Sequence, residues 1–245
     1  MKKVEVIAMV YKSVDYTKMI HEQLKNLKSN VEFDFSYRII ANDANKNVLK
    51  YLKDSEASYC IYNDKNPQDF YLNRVYRAWN YGGFSSKAEL ICFVNSDMFF
   101  SKNWLVNLLK YDVERYIPCS RLVESGKMLS GKYGVSMNFG RHPRDINTSR
   151  FYEFSELISE DKKEYGGLFM PCVFKQSIFE QSGGFPEGNV FLESGQLVFG
   201  CPNDRPLYKS GDKYYFDKLN ENYNLKHITV FDSIVYHIQE GEMDE

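Results

Sequence analysis

Residues 90–98, Leu90-Ile91-Cys92-Phe93-Val94-Asn95-Ser96-Asp97-Met98, run from five apolar side chains straight into a polar triplet. A continuous apolar run that ends in polar residues predicts a strand buried on both faces, as in a parallel sheet covered by helices. In such sheets, ligands bind beyond the carboxyl ends of the strands. The triplet Asn95-Ser96-Asp97 is therefore predicted to face a ligand.

The residues around this stretch alternate between strand and helix patterns. Apolar runs and alternations predict strands at Val4–Val10, from Val31 to Asn42-Asp43, at Tyr59–Tyr62 and at Leu90–Val94. Helical spacing predicts helices after a capping Asp15, around Val48–Leu52, at Asp69–Tyr81 with Gly82-Gly83 as its end, and at Lys102–Tyr111. This alternation is typical of an α/β fold, in which a central, mostly parallel sheet is flanked by helices.

The ends of the other predicted strands supply further positions that face a ligand. Tyr11 follows the first strand, Asp43 the second, and Asn63-Asp64 the third. Because the carboxyl ends of parallel strands meet at one edge of a sheet, these residues are predicted to lie near Asn95-Ser96-Asp97. Together they outline one binding site.

The second half of the chain has a less regular pattern. Strands are predicted at Gly166–Phe174 and His227–Ile238, and helices at Lys175–Gln181 and Asp212–Tyr223. The segment Ser125–Arg150 is rich in Gly, Lys and Arg and is predicted to be a mobile flap, in which Arg141-His142-Pro143-Arg144 forms either a lid or a solvated loop. Because no repeat or linker separates the halves, the sequence predicts one domain over residues 1–245.

The composition is that of an ordinary globular chain and excludes some classes of function. With a net charge of −2 over 245 residues, the chain lacks the basic excess that is typical of nucleic-acid binding. No apolar stretch approaches the roughly 20 residues that span a bilayer, and no signal peptide is predicted. The five scattered cysteines show no metal-binding spacing and are predicted to be reduced, which favours a soluble, cytoplasmic protein.

Asp97 is the residue of the triplet with the clearest chemistry. A hard cation such as Mg²⁺ or Mn²⁺ prefers oxygen ligands, which come from protein, phosphate and water together. One carboxylate at the end of a strand can therefore hold a metal ion that bridges to a diphosphate. The residue types alone leave this role and the capping of a following helix equally open.

Four stretches, in order along the chain, resemble glycosyltransferases of the GT-A fold, most closely those of family 2. They are the first strand with Asn42-Asp43, Arg77-Ala78-Trp79-Asn80-Tyr81-Gly82 with Asn95-Ser96-Asp97, Leu168-Phe169-Met170 with Gly183-Gly184-Phe185-Pro186-Glu187, and Gly211-Asp212 with Asp217-Lys218-Leu219. The resemblance implies a single GT-A domain. Residues 1–110 would form its nucleotide-binding half and residues 111–245 its acceptor-side half.

The resemblance also implies a reaction. The expected activity is inverting, non-processive transfer of a sugar from a nucleotide-diphosphate donor of the UDP or GDP type, with Mn²⁺ or Mg²⁺ as the cofactor. The expected acceptor is a hydroxyl of a glycan, a lipid-linked molecule or a protein. One departure from the family stands out, because Asn95 replaces the first Asp of the family's DxD motif. A neutral amide is a weaker metal ligand, so Asn95 either reduces metal affinity or contacts the donor's ribose or sugar.

The resemblance assigns roles at the reaction centre. Asp97 is expected to bind the metal together with His237, which ends the last strand. For His237, the alternative is a satisfied histidine at a strand end. Asp212 is expected to be the general base, since the attacking hydroxyl must lose a proton. Its alternative is a helix cap, and Glu187 and Glu193 are the reserve candidates for the base.

The donor side has its own candidates. Asp43 is expected to accept a hydrogen bond from the nucleobase, or else to be a turn residue. Tyr11 is expected near the base, and Asn95 beside the donor. Arg77 is expected to pair with a phosphate or with Asp97, or to form only a surface salt bridge.

Two other classes of protein compete with this interpretation. A nucleotidyltransferase shares the strand-helix layout, but it usually has a Gly-rich basic loop after the first strand, where this chain has Tyr11-Lys12-Ser13-Val14-Asp15. A catalytically silent protein of the same fold would bind a carbohydrate or nucleotide without reaction, and Asn95 keeps that alternative open. A dehydrogenase is disfavoured, because no GxGxxG motif follows the first strand.

Overall fold

The computed structural model describes residues 1–27, 29–200, 206–239 and 241. Its first half alternates as predicted, and one short strand and one short helix close it. The elements are β1 (Lys2–Val10), α1 (Val14–Lys25), β2 (Phe33–Asn42), α2 (Lys46–Asp54), β3 (Tyr59–Tyr62), α3 (Tyr71–Ser85), β4 (Leu90–Asn95), β5 (Met98–Phe100) and α4 (Trp104–Leu108).

The second half contains more short strands than the sequence pattern predicts. Its elements are β6 (Tyr116–Glu124), β7 (Val135–Ser136), a 3₁₀ turn (Pro143–Asp145), α5 (Thr148–Leu157), β8 (Lys163–Tyr165), β9 (Cys172–Lys175), α6 (Gln176–Ser182), β10 (Asn189–Glu193), β11 (Gln196–Gly200), β12 (Leu207–Lys209), α7 (Gly211–Tyr223) and β13 (Lys226–His237). The sequence analysis did not predict β5, β6, or the small sheet of β10, β11 and β12.

One large sheet takes strands from both halves of the chain. Its order is β3-β2-β1-β4-β9-β6-β13-β5, with β7 beside β6 and β8 beside β13. Strands β1 to β4 pair in parallel, as do β6 and β13, and β9 lies antiparallel between β4 and β6. The strands β1, β2, β3, β4, β6 and β13 therefore run in the same direction. Their carboxyl ends meet at one edge, which we call the carboxyl edge.

The central strand β4 is buried, as its apolar run predicts. Phe93 is fully buried and contacts the rings of Trp79, Phe179 and Phe185. Full burial of such a side chain contributes about 1.5–3 kcal/mol to stability. The strand therefore anchors helices α3 and α6 to the sheet and fixes where its polar end emerges.

The glycine pair Gly82-Gly83 lies inside α3 and does not end it. The helix continues to Ser85, and Ser86 is its C-cap residue. A Cβ atom at Gly82 would lie 2.7 Å from Cγ2 of Ile7, and one at Gly83 would overlap the ring of Phe179. The prediction of a helix end was wrong, because these glycines allow α3 to approach β1 and α6 closely.

Helix α1 begins at a different residue from the predicted one. Ser13 is its N-cap and accepts a hydrogen bond from the Tyr16 N–H, whereas Asp15 lies in the first turn. An acidic side chain there still interacts favourably with the helix dipole. Asp15 also pairs with Arg144 at 2.6 Å, which ties the predicted lid to α1.

Two predicted elements in the middle of the chain are shorter or divided. The predicted strand Gly166–Phe174 is wrong, because β8 ends at Tyr165 and β9 begins only at Cys172. Gly166 and Gly167 lie between them with φ of 80° and 118°, values that break a strand. The predicted helix Lys102–Tyr111 shrinks to the single turn and a half of α4.

The predicted flap, Ser125–Arg150, packs against the body of the protein. It contains β7, the 3₁₀ turn and the start of α5. Phe139, near its middle, is buried against Phe151 and Tyr236 in a second, smaller core. An aromatic anchor of this kind orders a segment that composition alone describes as a loop.

Candidate functional site

The carboxyl edge carries two groups of charged side chains. We call Asn95, Asp97, Glu124 and His237 the Asp97 cluster, and Asp64, Asp69 and Arg77 the Arg77 cluster. The first lies at the ends of β4, β6 and β13, and the second joins the middle of α3 to the segment between β3 and α3. The two clusters differ in how completely their charges are paired.

The Asp97 cluster is built by three strand ends. Asn95 is the last residue of β4, and Asp97 follows in the tight turn that leads to β5. His237 ends β13, and its Nε2 lies 3.3 Å from Oδ2 of Asp97. Glu124 ends β6 directly opposite His237, and its Oε1 lies 3.3 Å from Nδ1 of the same imidazole. The imidazole therefore stands between two carboxylates.

These carboxylates determine the charge of His237. Burial alone would lower the pKa of His237, but Asp97 and Glu124 outweigh burial and raise that pKa to about 10. Burial would likewise raise the pKa of Glu124, but its hydrogen bond with His237 outweighs burial and lowers it. In this structure the cluster is thus an imidazolium between two carboxylates.

Two oxygen atoms of the Asp97 cluster lack hydrogen-bond partners. Oδ1 of Asp97 and Oδ1 of Asn95 are both buried and accept no hydrogen bond from the described residues. Buried polar atoms are nearly always paired, so each such exception needs an explanation. Unpaired carboxylate and amide oxygens at one strand end are the donor set that a hard divalent cation takes.

The described residues supply few ligands for a metal ion, but the ligand atoms are of a suitable type. Within the described ranges, no group of three or more His, Cys, Asp or Glu side chains is arranged to hold a metal ion. Oδ2 of Asp97 and Nε2 of His237 lie 3.3 Å apart. Asn95, whose amide oxygen is unpaired, is the last residue of β4, two positions before Asp97. A magnesium-type site usually takes its other ligands from phosphate and water. The residues present fit such an open site.

A second group of predicted residues comes together around Arg74. Arg74 Nη1 donates to the Tyr11 hydroxyl and to Oδ2 of Asp43, both at 3.2 Å. The backbone N–H of Asp64 donates to the other oxygen of Asp43 at 2.9 Å. Burial would raise the pKa of Tyr11, but Lys12 and Arg74 outweigh burial and lower it. Tyr11 and Asp43, which follow neighbouring strands, thus share Arg74 as a hydrogen-bond partner.

The Arg77 cluster is closed on itself. Arg77 forms a bidentate pair with Asp64, with Nε and Nη2 each 2.8 Å from a carboxylate oxygen, and it contacts Asp69 at 3.0 Å. The Asp64 side chain is 0 % exposed and that of Arg77 is 6 % exposed. Burial opposes the charge of Arg77, but Asp64 and Asp69 outweigh it and raise the pKa of Arg77.

Arg77 does not form two of its three predicted partnerships. Its own side chain is buried, so its ion pairs are not a surface salt bridge, and none of its described contacts reaches Asp97. Pairing with a phosphate stays a prediction. Arg77 touches Glu187 at 3.5 Å, which links α3 to the Gly183–Glu187 turn. A bidentate pair of this kind is a strong, geometrically specific contact that holds the segment after β3 in place.

Asp212 lies in the first turn of α7, apart from the Asp97 cluster. Ser210 is the N-cap residue, so the predicted capping role of Asp212 was wrong. Oδ1 of Asp212 accepts hydrogen bonds from the Ser210 hydroxyl at 2.5 Å and the Lys213 N–H at 2.7 Å. Burial raises the pKa of Asp212, although these hydrogen bonds oppose the shift. A carboxylate with a raised pKa is a better proton acceptor.

Asp212 is held in place by α3. Its backbone N–H donates to the Tyr76 hydroxyl at 3.1 Å, and Tyr76 stacks on Phe185. A Cβ atom at Gly211 would lie 2.5 Å from Cε2 of Tyr76, so glycine allows this close approach. The sequence Gly211-Asp212 is therefore explained by packing against α3.

The reserve candidates lie elsewhere. Glu187 is more than half exposed and pairs with Lys65 at 2.8 Å. Glu193 ends β10 in the small sheet and is exposed. The predicted lid is tied down, because His142 and Arg144 both contact Asp15. Neither reserve carboxylate shares the burial of Asp212.

Two residues of the site were absent from the sequence analysis. Glu124 was missed because β6 was not predicted. Arg74 was placed on the predicted helix, but nothing in its neighbours marks it as the partner of Tyr11 and Asp43. The helical spacing from Arg77 to Arg74, almost one turn, was the available signal that both face the sheet.

Solved structures of other proteins are similar to this chain in fold. No protein-family model matches the sequence, and no characterised protein matches it in sequence. The structure of GalNAc-T7 with UDP, GalNAc and Mn²⁺ is similar, with a TM-score of 0.56 over 97 % of this chain and 44 % of that one, at 12 % identity. This chain has a GT-A glycosyltransferase-like fold. The predicted fold class is confirmed.

A second solved structure supports the same GT-A fold. Residues 1–349 of TarS from S. aureus superimpose with a TM-score of 0.54 over 96 % of this chain and 60 % of that one, at 11 % identity. This chain thus spans about half the length of each matched chain. Within the residues that the structure describes, no helix is long and apolar enough to cross a membrane.

Proposed function

We propose that this protein is a glycosyltransferase that moves a sugar from a nucleotide-diphosphate donor to an acceptor hydroxyl, with inversion and with a divalent metal ion. The carrying observation is the pair of buried, unpaired oxygens of Asn95 and Asp97 beside His237, at the edge where ligands bind in such sheets. The GT-A fold supports the proposal, because GalNAc-T7, which shares it, was solved with UDP, GalNAc and Mn²⁺.

The metal ion would be held by Asp97 and His237, with Mn²⁺ or Mg²⁺ as the proposed ion. When bound, it supplies positive charge that stabilises the departing diphosphate. The unpaired oxygen of Asn95 would contact either the ion or the donor. The protein's own contribution is to leave Oδ1 of Asp97 and Oδ1 of Asn95 without hydrogen bonds from the described residues.

Asp212 is the proposed general base. Its Oδ1 accepts hydrogen bonds from the Ser210 hydroxyl and the Lys213 N–H. These contacts orient the carboxylate that would accept the proton. Burial raises its pKa, which strengthens it as a base for the attacking hydroxyl.

The nucleoside would lie against Tyr11 and Asp43. Arg74 fixes the orientation of both side chains, so that the aromatic ring and a carboxylate lone pair are preset. An aromatic ring beside a carboxylate suits a base that offers an N–H donor, as uracil and guanine do. We therefore propose a UDP-type or GDP-type donor, with a glycan, a lipid-linked molecule or a protein as acceptor.

The proposed location is the cytoplasm. Cys60, Cys92, Cys119 and Cys172 are free thiols, and Cys201 lies outside the described residues. Free thiols suit a reducing compartment.

Isothermal titration calorimetry tests the donor site. The protein is titrated with UDP, GDP and dTDP, each with and without Mn²⁺. We expect one diphosphate to bind tightly with Mn²⁺, and Asp97→Asn to weaken that binding at least about 100-fold, more than loss of an outer-shell partner would. Asp232→Asn is the matched control, since Asp232 is a buried carboxylate earlier on β13 that pairs with Lys110.

The outcomes distinguish three interpretations of the site. If the diphosphate binds equally well without Mn²⁺, Asp97 and His237 lose their assigned role. If no diphosphate binds, the nucleotide-sugar proposal fails. Hydrolysis of the donor sugar then distinguishes an enzyme from a catalytically silent binder, and Asp212→Asn should slow turnover by about 10²–10⁴ while binding persists.

A further inference from the structure

Glu124 is the member of the Asp97 cluster to which the proposed function gives no role. It is 5 % exposed although it is charged. Charged side chains are almost never buried unless they are paired. It ends β6 directly opposite His237, with their Cα atoms in register, and its Oε1 lies 3.3 Å from Nδ1 of the imidazole. Its burial is therefore explained by its contact with His237.

The two nitrogen atoms of His237 have different neighbours. Nε2 faces Asp97, whose other oxygen is unpaired, and Nδ1 faces Glu124. A histidine that binds a metal through one nitrogen usually donates its other N–H to a carboxylate or carbonyl, which fixes the tautomer and the ring orientation. Glu124 has the chemistry and the position for that second contact.

We propose that Glu124 is a positioning residue that fixes His237 with Nδ1–H toward Glu124 and Nε2 toward the metal position beside Asp97. This inference rests on the proposed function, because it deepens the role of the same site. Glu124 touches neither substrate nor metal in the proposal. It acts through His237 alone.

Glu124 is itself held rigidly, as a positioning residue must be. Its Oε1 also accepts a hydrogen bond from Nε2 of Gln239 at 3.2 Å, and its Oε2 accepts one from the Gly131 N–H at 3.3 Å. Gln239 is 1 % exposed, and its Oε1 accepts from the N–H groups of Gly126 and Met128 at 3.1 and 3.0 Å. The loop after β6 and the residues after β13 therefore hold Glu124 between them.

The segment after β13 also passes close to Asp97. The Ile238 N–H donates to the Asp97 carbonyl at 2.9 Å, and a Cβ atom at Gly241 would lie 2.8 Å from Cβ of Asp97. This segment thus contacts both residues whose carboxylates face His237. Glu124, through Gln239, couples the position of the imidazole to the packing of this segment.

The first test measures affinity for Mn²⁺ alone, by the electron paramagnetic resonance signal of the free ion. We expect Glu124→Ala to weaken Mn²⁺ binding about 10–100-fold, the usual effect of losing an outer-shell partner. Glu124→Gln keeps an oxygen that can accept from Nδ1–H, so it should recover part of this loss. Asp232→Ala, which removes another buried carboxylate from the same sheet, should leave the affinity unchanged.

The second test reads the tautomer directly. The chain has four histidines, so ¹⁵N NMR of labelled imidazoles gives four spin systems, and His237→Gln assigns one of them. With Mg²⁺ and the diphosphate bound, wild type should show His237 protonated at Nδ1 alone. Glu124→Ala should show part of its His237 imidazole protonated at Nε2 and detached from the metal, and a role limited to stability would not produce that change.

The outcomes are distinguishable. If wild type binds no Mn²⁺, the proposed function fails at the metal. If wild type binds Mn²⁺ but Glu124→Ala and Glu124→Gln match it in affinity and tautomer, the positioning role is overturned. Gln239→Ala tests the loop, because an equal loss of affinity with an unchanged tautomer would assign the effect to loop anchoring. Should Glu124→Ala fail to fold, Glu124→Gln decides the question by the same two readouts.

Discussion

The Arg77 cluster and the Asp97 cluster lie at the same edge of one sheet, yet they treat buried charge in opposite ways. Arg77 satisfies both oxygens of Asp64 and reaches Asp69 as well. In the Asp97 cluster, one oxygen of Asp97 and the amide oxygen of Asn95 are left without a partner. A fully paired network stabilises one arrangement of the chain. Unpaired buried oxygens destabilise the folded protein, and a ligand that pairs with them offsets this loss.

The comparison distinguishes a group of charges whose oxygens are paired from one that keeps unpaired oxygens. Asp64 in one cluster and Asp97 in the other were nominated by the same rule, that polar residues follow buried strands. The rule finds the edge but cannot say which group is complete. Completeness depends on hydrogen bonds between distant segments, and the structure supplies that information.

Breaking the closed cluster should have the largest effect. Arg77→Leu leaves the buried carboxylate of Asp64 without its partner, which we expect to cost about 3–5 kcal/mol of unfolding free energy. Urea unfolding at neutral pH measures it. Asp97→Asn, in the open cluster, should cost less than this, because Glu124 still pairs with His237 and Oδ1 of Asp97 has no hydrogen-bond partner to lose.

A double variant is the control for this prediction. Arg77→Leu combined with Asp64→Leu removes both charges, so it should recover most of the stability that the single variant loses. Equal losses for Arg77→Leu and Asp97→Asn would show that the two clusters do not differ as proposed.

The two ends of β13 extend the comparison to a pair of histidines. His237, at the carboxyl edge, is charged between carboxylates, whereas His227, at the other end, packs on Phe169 and Phe216 and contacts the Leu168 carbonyl through Nε2. Burial lowers the pKa of His227 to about 4, although the contact with Leu168 opposes the shift. His227 is therefore neutral in the folded protein at pH 7.

The shift at His227 predicts a loss of stability in acid. Its folded pKa lies below the value of about 6.5 in the unfolded chain, so the unfolded chain binds more protons between these values. The contribution is complete above about pH 6.5 and is lost as the pH falls toward 4, by up to about 3 kcal/mol. Urea unfolding of wild type and His227→Gln at pH 7 and pH 4.5 isolates this group.

We expect wild type to lose more stability than His227→Gln over that range. A parallel loss in both proteins would mean that other groups carry the acid sensitivity. The comparison uses the difference between two variants, so the titration of the remaining carboxylates cancels.

Local pattern explains why the first half of the fold was predictable. Apolar runs and helical spacing located β1, β3, β4 and α3 within a few residues, because each element buries a regular face. The edge position of Tyr11, Asp43 and Asp97 followed from those strands. Long-range contacts account for what was missed. The hydrogen bond of Glu124 to His237 joins residues 113 positions apart.

Strand β6 shows why Glu124 escaped prediction. Pro118 lies within the strand, and proline normally argues against a central strand. Arg121, a charged residue within the strand, interrupts the apolar pattern. Its guanidinium is accommodated because it donates to the Tyr133 and Ile158 carbonyls. Both residues are accommodated by tertiary contacts that no local window contains. The glycine pair in α3 was misjudged for the same reason.

That glycine pair gives the third prediction. At an ordinary position inside a helix, Gly→Ala stabilises a protein by about 0.5–1 kcal/mol. Because a Cβ atom at Gly83 overlaps the Phe179 ring, we expect Gly83→Ala to lose about 1–3 kcal/mol instead. Thermal unfolding measures the sign.

The helix that carries Gly83 also carries Arg77, so this test asks how firmly the closed cluster is supported. Adding Phe179→Leu to Gly83→Ala removes the ring that meets the new methyl group. The double variant should lose less unfolding free energy than the sum of the losses in the two single variants. Simple additivity of the two losses would argue against direct contact as the cause.

The smallest expected effect concerns the open cluster. Asn95→Asp places a carboxylate where the resembled family has one, and a charged ligand should raise Mn²⁺ affinity by about tenfold. Calorimetric titration with Mn²⁺ and the preferred diphosphate measures the change. If affinity for Mn²⁺ falls or stays constant while affinity for the sugar donor falls, Asn95 contacts the ribose or the sugar, and its unpaired oxygen serves the donor. Asn95→Ala is the control, since it should lose affinity in either case, and only the ligand whose affinity it lowers tells which partner that oxygen has.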